Sequence, residues 1–315
     1  MRRLAMLDAG LGERKSHGAA EHSVSGPHGV AQPAEGGTLY VVATPVGNLR
    51  DITLRALDVL GSADVVAAED TRTTRGLLEH YGLRTELVSI HEHNERRGAE
   101  RIVTALAAGR SVAYVTDAGT PGISDPGAEL VAAVRAAGLP VVPVPGPSAL
   151  TAALSVAGPG TEPFLFVGFL PPKPGERRRA LERLAAGAHA VVVYESPHRI
   201  EACAADLAAA LGASRTVVIA RELTKRFETV HATTLGDLPD WLASDPDQRR
   251  GEFVLVIGAP PAVAAAVDMA EAARVLAILG AELPPSRAAR ATAAITGASR
   301  EALYAMALAG RDDAP

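Results

Sequence analysis

Val112-Ala113-Tyr114-Val115-Thr116 runs directly into Asp117-Ala118-Gly119-Thr120-Pro121-Gly122-Ile123-Ser124-Asp125-Pro126-Gly127, and this stretch decides how the chain is read. The first five residues have the composition of a short strand buried on both faces. The loop after them carries Gly119, Gly122 and Gly127 together with Pro121 and Pro126. Proline fixes φ and glycine leaves the backbone bare, so the loop is stiff and offers amides and carbonyls at close range. Asp117 at the strand tip is a candidate acceptor for a ribose hydroxyl or an ammonium group. Asp125 reads as the N-cap of the following helix. In open α/β sheets, ligands bind at loops leaving the carboxyl ends of strands.

Outward from this stretch the same pattern repeats. Leu39–Ala43 is an apolar run stopped by Pro45, Gly47 and Asn48. Val65–Ala68, Leu87–Ile90 and Val141–Val144 are further short strands, the last ending in Pro145-Gly146-Pro147-Ser148-Ala149. Helical spacing is found at 53–60, after the turn at 69–74 as far as Tyr81, and at 96–108, 125–138 and 148–156. Strands alternating with helices predict a mostly parallel sheet covered on both faces. After Gly158 the pattern changes. Strands are expected at Phe164–Val167, Ala190–Tyr194, Thr216–Arg221, Arg226–Ala232 and Phe253–Ile257, the last two placed for antiparallel pairing, with helices at 176–186, 198–211 and 235–242. The expected organisation is α/β with two domains: a disordered extension at 1–36, a parallel-sheet N-terminal domain at 37–158, and a mixed-sheet second α/β domain at 159–258. A linker at 259–267 leads to a helical module at 268–310, broken at Gly280–Pro285 and Gly297–Ser299, of helix-turn-helix character.

Several function classes drop out. The formal net charge of −5 over 315 residues means that any nucleic acid must be held by a local basic surface. Cys203 is the single cysteine, so neither an internal disulfide nor a thiolate metal cluster can form, and it reads as a small buried hydrophobe. The apolar run after Arg2 and Arg3 ends at Asp8, too short for a secretory leader, and no stretch is long and apolar enough for a membrane span. A cytoplasmic protein is expected, with neither membrane nor DNA as partner. No Walker motif occurs, and no G-x-G-x-x-G follows the first strand. His91 and His93 lack further ligands at metal spacing, so no metal is expected, and Ser148 lacks a nucleophile-elbow pattern.

Six segments occur together and in order: Thr44–Thr53 (TPVGNLRDIT), Glu69–Arg72 (EDTR), Asp117–Gly127, Pro145–Ala149, Tyr194–Arg199 (YESPHR) and Ala220–Lys225 (ARELTK). The set resembles the ribosomal RNA small subunit methyltransferase I family of the tetrapyrrole-methylase superfamily, over about residues 37–310. The resemblance implies a tetrapyrrole-methylase-like two-domain fold, usually homodimeric, with S-adenosylmethionine in the cleft between domains. It implies methyl transfer to the ribose 2′-hydroxyl of a cytidine in the decoding region of 16S rRNA, within the small ribosomal subunit. Carried over by motif, the cofactor contacts are Pro45, Asp117, Thr120, Pro121, Ile123, Ser148, Ala149, Glu195, Ala220 and Glu252. The compact Gly-Asp-Pro loop of the superfamily is expanded here to Asp117-Ala118-Gly119-Thr120-Pro121, which leaves open the residue that meets the methionine moiety.

A sulfonium is already an activated methyl donor, so the protein must mainly align donor and acceptor. A ribose hydroxyl is a poor nucleophile, and a nearby base or cation helps it. Glu69, Asp70, His91, Glu92, Arg221, Glu222 and Lys225 are candidates, with Glu222 and Lys225 preferred as catalytic; ion pairing or RNA positioning is the alternative for each. For RNA contact, the sequence offers Lys173, Arg177, Arg178, Arg179 and Arg183 after a proline-rich loop, and Arg287, Arg290 and Arg300 in the C-terminal module, against the alternative of solvated helix faces. Two other functions stay open: methylation of a tetrapyrrole, corrin or diphthine precursor, and RNA binding without catalysis.

Overall fold

The structure, a computed structural model, describes residues 33–90, 95–260 and 269–312. Expectations for residues 1–32 of the extension, for His91, Glu92 and His93, and for 261–267 of the linker lie outside the described residues. Packing divides the chain into two compact units: residues 33–43, 52–117 and 126–145 form one, and Thr44–Asp51, Ala118–Asp125 and the chain from Gly146 onward form the other.

In the first unit β1 (Leu39–Val42), β2 (Val65–Ala68), β3 (Leu87–Ser89), β4 (Val112–Val115) and β5 (Val141–Val144) form an all-parallel sheet in the order β3-β2-β4-β1-β5. Its helices are α1 (Leu54–Ser62), α2 (Thr71–His80), α3 (Glu95–Ala107) and α4 (Ala128–Ala136). Successive strand residues point to opposite faces. Tyr40, Val42, Val66, Ala68, Ala113 and Val115 therefore pack with Val59 and Leu60 of α1 and Leu78 of α2. Leu39, Val65, Ala67, Val112 and Tyr114 pack with Ile102 and Leu106 of α3 and Leu130 and Val134 of α4. Burial on both faces is why these strands read as continuous apolar runs.

α1 and α2 start at side-chain caps, and the cap expected for α4 requires a correction. The Ala56 N–H donates to Thr53 Oγ1 at 3.1 Å, and the Arg72 N–H donates to Asp70 Oδ1 at 2.8 Å. Asp125, expected to cap α4, does not. The helix begins two residues later, behind Gly127 at φ 129°, and no side chain at the N-cap accepts its amides. Gly127 lies so close to Tyr114 that a Cβ would meet Cε1 at 2.6 Å, so the cap position has no side chain to offer. The acceptor comes from α3: Glu95 Oε1 receives the amides of Gly127 at 3.0 Å, Glu129 at 3.2 Å and Leu130 at 3.4 Å.

In the second unit β6 (Phe164–Phe169), β7 (Ala190–Glu195), β8 (Thr216–Arg221), β9 (Thr229–Thr234) and β10 (Phe253–Ile257) form a mixed sheet in the order β6-β7-β10-β8-β9. Only β6 and β7 pair in parallel. Val191, Val193, Val217, Ile219 and Leu255 pack on one face with α6 (Pro174–Ala185), α7 (Ile200–Leu211) and α8 (Leu238–Ser244). Val192, Ala220, Val254 and Val256 pack on the other with Ala153 of α5 (Ala149–Val156). Chain order groups α5 with the first domain; its apolar stripe of Leu150, Ala153 and Leu154 groups it with the second sheet. β9 starts at Thr229, later than expected, because residues 222–228 form a turn with positive φ at Glu222 (52°) and Thr224 (65°).

Three further helices, α9 (Met269–Glu282), α10 (Pro285–Thr296) and α11 (Arg300–Asp312), pack on one another through Leu276, Ala288, Ala289 and Leu303. Gly280 lies inside α9, and the break falls at Leu283 and Pro284. Gly297, at φ 72°, closes α10 in the left-handed conformation that favours glycine. No described helix is long and apolar enough to cross a membrane.

Because Glu95 supplies the cap that α4 lacks, Glu95→Ala is expected to destabilise the first unit by about 1–2 kcal/mol. Urea unfolding checks this, with Asp125→Ala, which removes no cap, as the comparison.

Candidate active site

Within the second unit lies a cavity of about 310 Å³, at the small end of the range for ligand pockets. Residues from four sequence-marked loops line it together: Val46; Ala118–Thr120 and Ile123–Asp125; Ser148 and Ala149; Tyr194–Pro197. Ala220, Leu223 and Glu252–Val254 complete the lining with Phe169. Thr44 and Gly119 exchange two backbone hydrogen bonds, 2.8 Å and 3.0 Å, joining the first loop to the second. The Thr120 hydroxyl donates to the Pro147 carbonyl at 3.0 Å, joining the second to the third.

Of the expected cofactor contacts, the cavity brings together Thr120, Ile123, Ser148, Ala149, Glu195, Ala220 and Glu252. Pro45 and the buried Pro121 are not among its lining residues. Asp117 belongs to the first unit, where its Oδ1 accepts the Asp70 N–H at 3.1 Å. Tyr194, Asp125 and Ser124, which lie in marked segments but were not expected as cofactor contacts, line the cavity, as does Phe169, which lies in none of them. A phenylalanine and a tyrosine at two strand ends, in a chain with 3% aromatics, were the available signal.

Tyr194 organises the wall. Its hydroxyl lies near the Leu150 amide and the Ser148 hydroxyl at the start of α5, where Ser148 holds the N-cap position but makes no cap bond of its own. Burial, reinforced by the negative charge of Asp125, pushes the phenol up to about 12, against the pull of that amide and that hydroxyl.

Glu222 and Lys225 stand beside the cavity rather than in its lining, in the turn after β8. Lys225 Nζ donates to Glu222 Oε1 at 2.9 Å and to Glu252 Oε2 at 2.8 Å, and Glu222 Oε1 also receives the Glu252 N–H at 3.0 Å. Burial alone would raise the Glu222 carboxyl, but the Lys225 ammonium and the Glu252 amide outweigh it and hold it below the usual carboxylate range. For Lys225 burial pulls down, and hydrogen bonds to Glu252 and Glu222 outweigh it, leaving the ammonium raised. Near neutral pH the cluster is thus a cation between two carboxylates. It is not a resting base. Gly47 makes the close approach possible, since a Cβ there would press on Lys225 Cγ and on the Leu223 carbonyl oxygen.

The other candidates have structural partners. Arg221 is buried, and its guanidinium donates to the carbonyls of Asp247, Arg250 and Phe227 and to Thr229 Oγ1, pinning two turns. Asp70, besides capping α2, is paired with Arg72 at 2.6 Å, and the Arg72 side chain and amide hold its carboxyl down at about 2. The Glu69 N–H donates to the Val115 carbonyl at 3.3 Å. Glu195 is buried; its Oε1 receives the Ser196 N–H at 2.8 Å and lies 3.2 Å from Arg199 Nε. Cys203 is fully buried, and burial followed by the neighbouring Glu195 carboxylate pushes its thiol well above the ordinary range.

Arg177, expected in a basic RNA-facing cluster, requires a correction. Its side chain is 4% exposed, and Nη2 and Nε meet Asp206 Oδ2 at 2.6 Å and 2.7 Å. Placed on the buried face of α6, it belongs to an internal ion pair, while Arg178, Arg179 and Arg183 are exposed along the same helix. Arg287, Arg290 and Arg300 are exposed on the C-terminal helices. Among the described residues no cluster of His, Cys, Asp and Glu has metal-site geometry. Removing one partner of a buried pair strands the other charge, so Arg177→Ala is expected to cost about 3–5 kcal/mol of stability. Arg178→Ala is expected to stay within ~0.5 kcal/mol, and chemical denaturation of both variants checks the contrast.

Comparison with known proteins agrees with this architecture. The family model for tetrapyrrole (corrin/porphyrin) methylases matches residues 38–239, and that for the RsmI C-terminal HTH domain matches residues 266–311. Proteins called ribosomal RNA small subunit methyltransferase I from Xylella fastidiosa and Escherichia coli O157:H7 are 52% and 47% identical to it, over 85% and 86% of this chain and 98% and 95% of theirs. Among solved structures, a cobalt precorrin-4 methyltransferase (20% identical, TM-score 0.52) and the uroporphyrin-III C-methyltransferase of Thermus thermophilus (25%, TM-score 0.52) each match 70% of this chain and 94% of their own. The chain belongs to the tetrapyrrole methylase family and, within it, to the ribosomal RNA small subunit methyltransferase I family.

Proposed function

We propose that this chain transfers a methyl group from S-adenosylmethionine to RNA of the small ribosomal subunit, at the 2′-hydroxyl of a cytidine in the decoding region of 16S rRNA. The observation that carries the cofactor assignment is the charge of the cavity. Its lining contains Asp125, Glu195 and Glu252 and no lysine or arginine. Glu195 and Glu252 have their cationic partners, Arg199 and Lys225, outside the lining, so the wall itself presents acceptors and no cation, which suits a nucleoside whose charged groups include a sulfonium and an ammonium better than one held by its phosphates. Ala118, Gly119, Ala149 and Ala220 leave room for a flat ring and for backbone contact, and Ile123, Leu223 and Val254 supply apolar wall. The proposed cofactor contacts are those expected residues that line the cavity: Thr120, Ile123, Ser148, Ala149, Glu195, Ala220 and Glu252.

The bound cofactor supplies an activated methyl carbon, so no metal or covalent intermediate is required of the protein. The protein's part is alignment and charge. Lys225, fixed between Glu222 and Glu252, is the positive group available to favour a developing alkoxide on the acceptor, and Glu222 is the residue that holds it in place. RNA approach is assigned to Arg178, Arg179 and Arg183 of α6 and to Arg287, Arg290 and Arg300 of the C-terminal helices. A homodimer belongs to the same proposal.

The deciding experiment offers isotopically labelled S-adenosylmethionine and the purified chain three acceptors: 30S subunits, free 16S rRNA and a porphyrin precursor. Label on a cytidine ribose is the expected result; label on the porphyrin alone overturns the RNA assignment, and failure to bind S-adenosylmethionine in calorimetry leaves only an RNA-binding role. Lys225→Met is expected to lower kcat by about 100-fold, in line with loss of one electrostatic donor, with a smaller change in the dissociation constant of S-adenosylhomocysteine, because Lys225 reaches the cavity lining only through Glu252. Neutralising Arg178, Arg179 and Arg183 together is expected to weaken RNA binding and flatten its salt dependence by up to ~3 in log–log slope.

A further inference from the structure

The end of β6 is built against the normal alternation of a strand. Strict period-2 geometry puts Phe169 on the same face as Val167, which packs into the core beneath α6 and α7. The pairing of β6 with β7 instead runs Phe166 to Val192, Gly168 to Val193 and Phe169 to Tyr194, so Val167 is an inserted residue. Such a bulge re-aims every side chain after it. Phe169 thereby joins Phe166 and Tyr194 on the opposite face, with ring centroids 5.7 Å and 5.0 Å from Tyr194 in edge-on geometry. Gly168 is required twice. Its φ is 69°, and a Cβ would collide with Ser124 Oγ of the glycine-rich loop.

The bulge delivers a large aromatic ring to the cavity and leaves it 53% exposed. Other apolar side chains of the protein are as exposed, but Phe169 is exposed on the wall of the cavity, where a flat ligand can reach it. The deep lining, Ala220 and Phe253 among it, is already buried, so Phe169 marks the accessible side, from which an acceptor must enter. The spot offers a half-exposed aromatic ring beside a lining that contributes no cation of its own. That suits a flat, uncharged ring. A ribose held for in-line attack carries its base with it, taken out of its stack, and aromatic side chains are what replace lost base stacking in single-stranded RNA.

We infer that Phe169 is the stacking platform for the nucleobase attached to the reacting ribose, positioned by the Gly168 bulge and its T-shaped contact with Tyr194; the inference rests on RNA being the acceptor. The test uses the full chain with 30S subunits. Phe169→Ala is expected to reduce kcat/KM for the RNA roughly ten- to a hundred-fold, with melting temperature and S-adenosylhomocysteine affinity by calorimetry unchanged, and Phe169→Trp to restore most of the rate. Weakened S-adenosylhomocysteine binding by Phe169→Ala would place the ring in the cofactor wall and overturn the inference. A changed sedimentation coefficient would make it an interface between copies and do the same, as would an unaltered RNA rate. If the unsubstituted chain itself fails to methylate the subunit, the functional reading falls; if it succeeds and Phe169→Ala matches it, only this inference falls.

Discussion

Two backbone hydrogen bonds between Thr44 and Gly119 are the constraint on which the site depends. Both residues are buried, where an unpaired amide or carbonyl is costly, and each satisfies the other. Gly119 meets this demand at φ 80°, a conformation that side chains disfavour. With the Thr120 hydroxyl on the Pro147 carbonyl, three loops far apart in the chain become one continuous wall. The stiffness comes from proline and glycine. The closure comes from hydrogen bonds.

Charge is arranged with comparable economy. The cavity lining holds carboxylates and no basic side chain. Lys225 is held just outside by Glu222 and Glu252, in a turn with positive φ at Glu222 and Thr224, and Arg199 meets Glu195 from outside the lining in the same way. Arg177 shows the opposite use of a cation: buried against Asp206, it fastens α6 to α7 and is lost to any surface role. Helical spacing separates it from Arg178 and Arg179, since neighbouring residues on a helix face about 100° apart.

Much of this was legible in the residues. The parallel strands could be read because double burial demands continuous apolar runs, and the antiparallel portion because short strands lay close in sequence. Thr53 marked the start of its helix through a local hydrogen bond, whereas Asp70, read as part of a turn reaching to Thr74, caps a helix that already begins at Thr71. The chain also marked the loops that meet at the cavity, since glycine and proline are concentrated there. Where reading failed, a distant residue had intervened. Asp125 was the reasonable cap for α4 until Tyr114 forced a glycine into the cap position and Glu95 supplied the acceptor from another helix. α5 follows β5 in the chain, yet its apolar stripe lies on the second sheet.

The sequence by itself determined the alternation of strands and helices and the stiff turns at the strand tips, because each rests on composition and spacing within about a dozen residues, and it determined membership of the family because several such segments occur together and in order. Only the tertiary structure decided which carboxylates share Lys225, which arginine is buried, and that Phe169 faces the cavity. These depend on register and on contacts between residues distant in the chain. A one-residue bulge at Val167 reverses the face of everything beyond it, and the backbone there, with Gly168 at φ 69° and Ser124 Oγ in the space a Cβ would fill, involves residues distant in the chain.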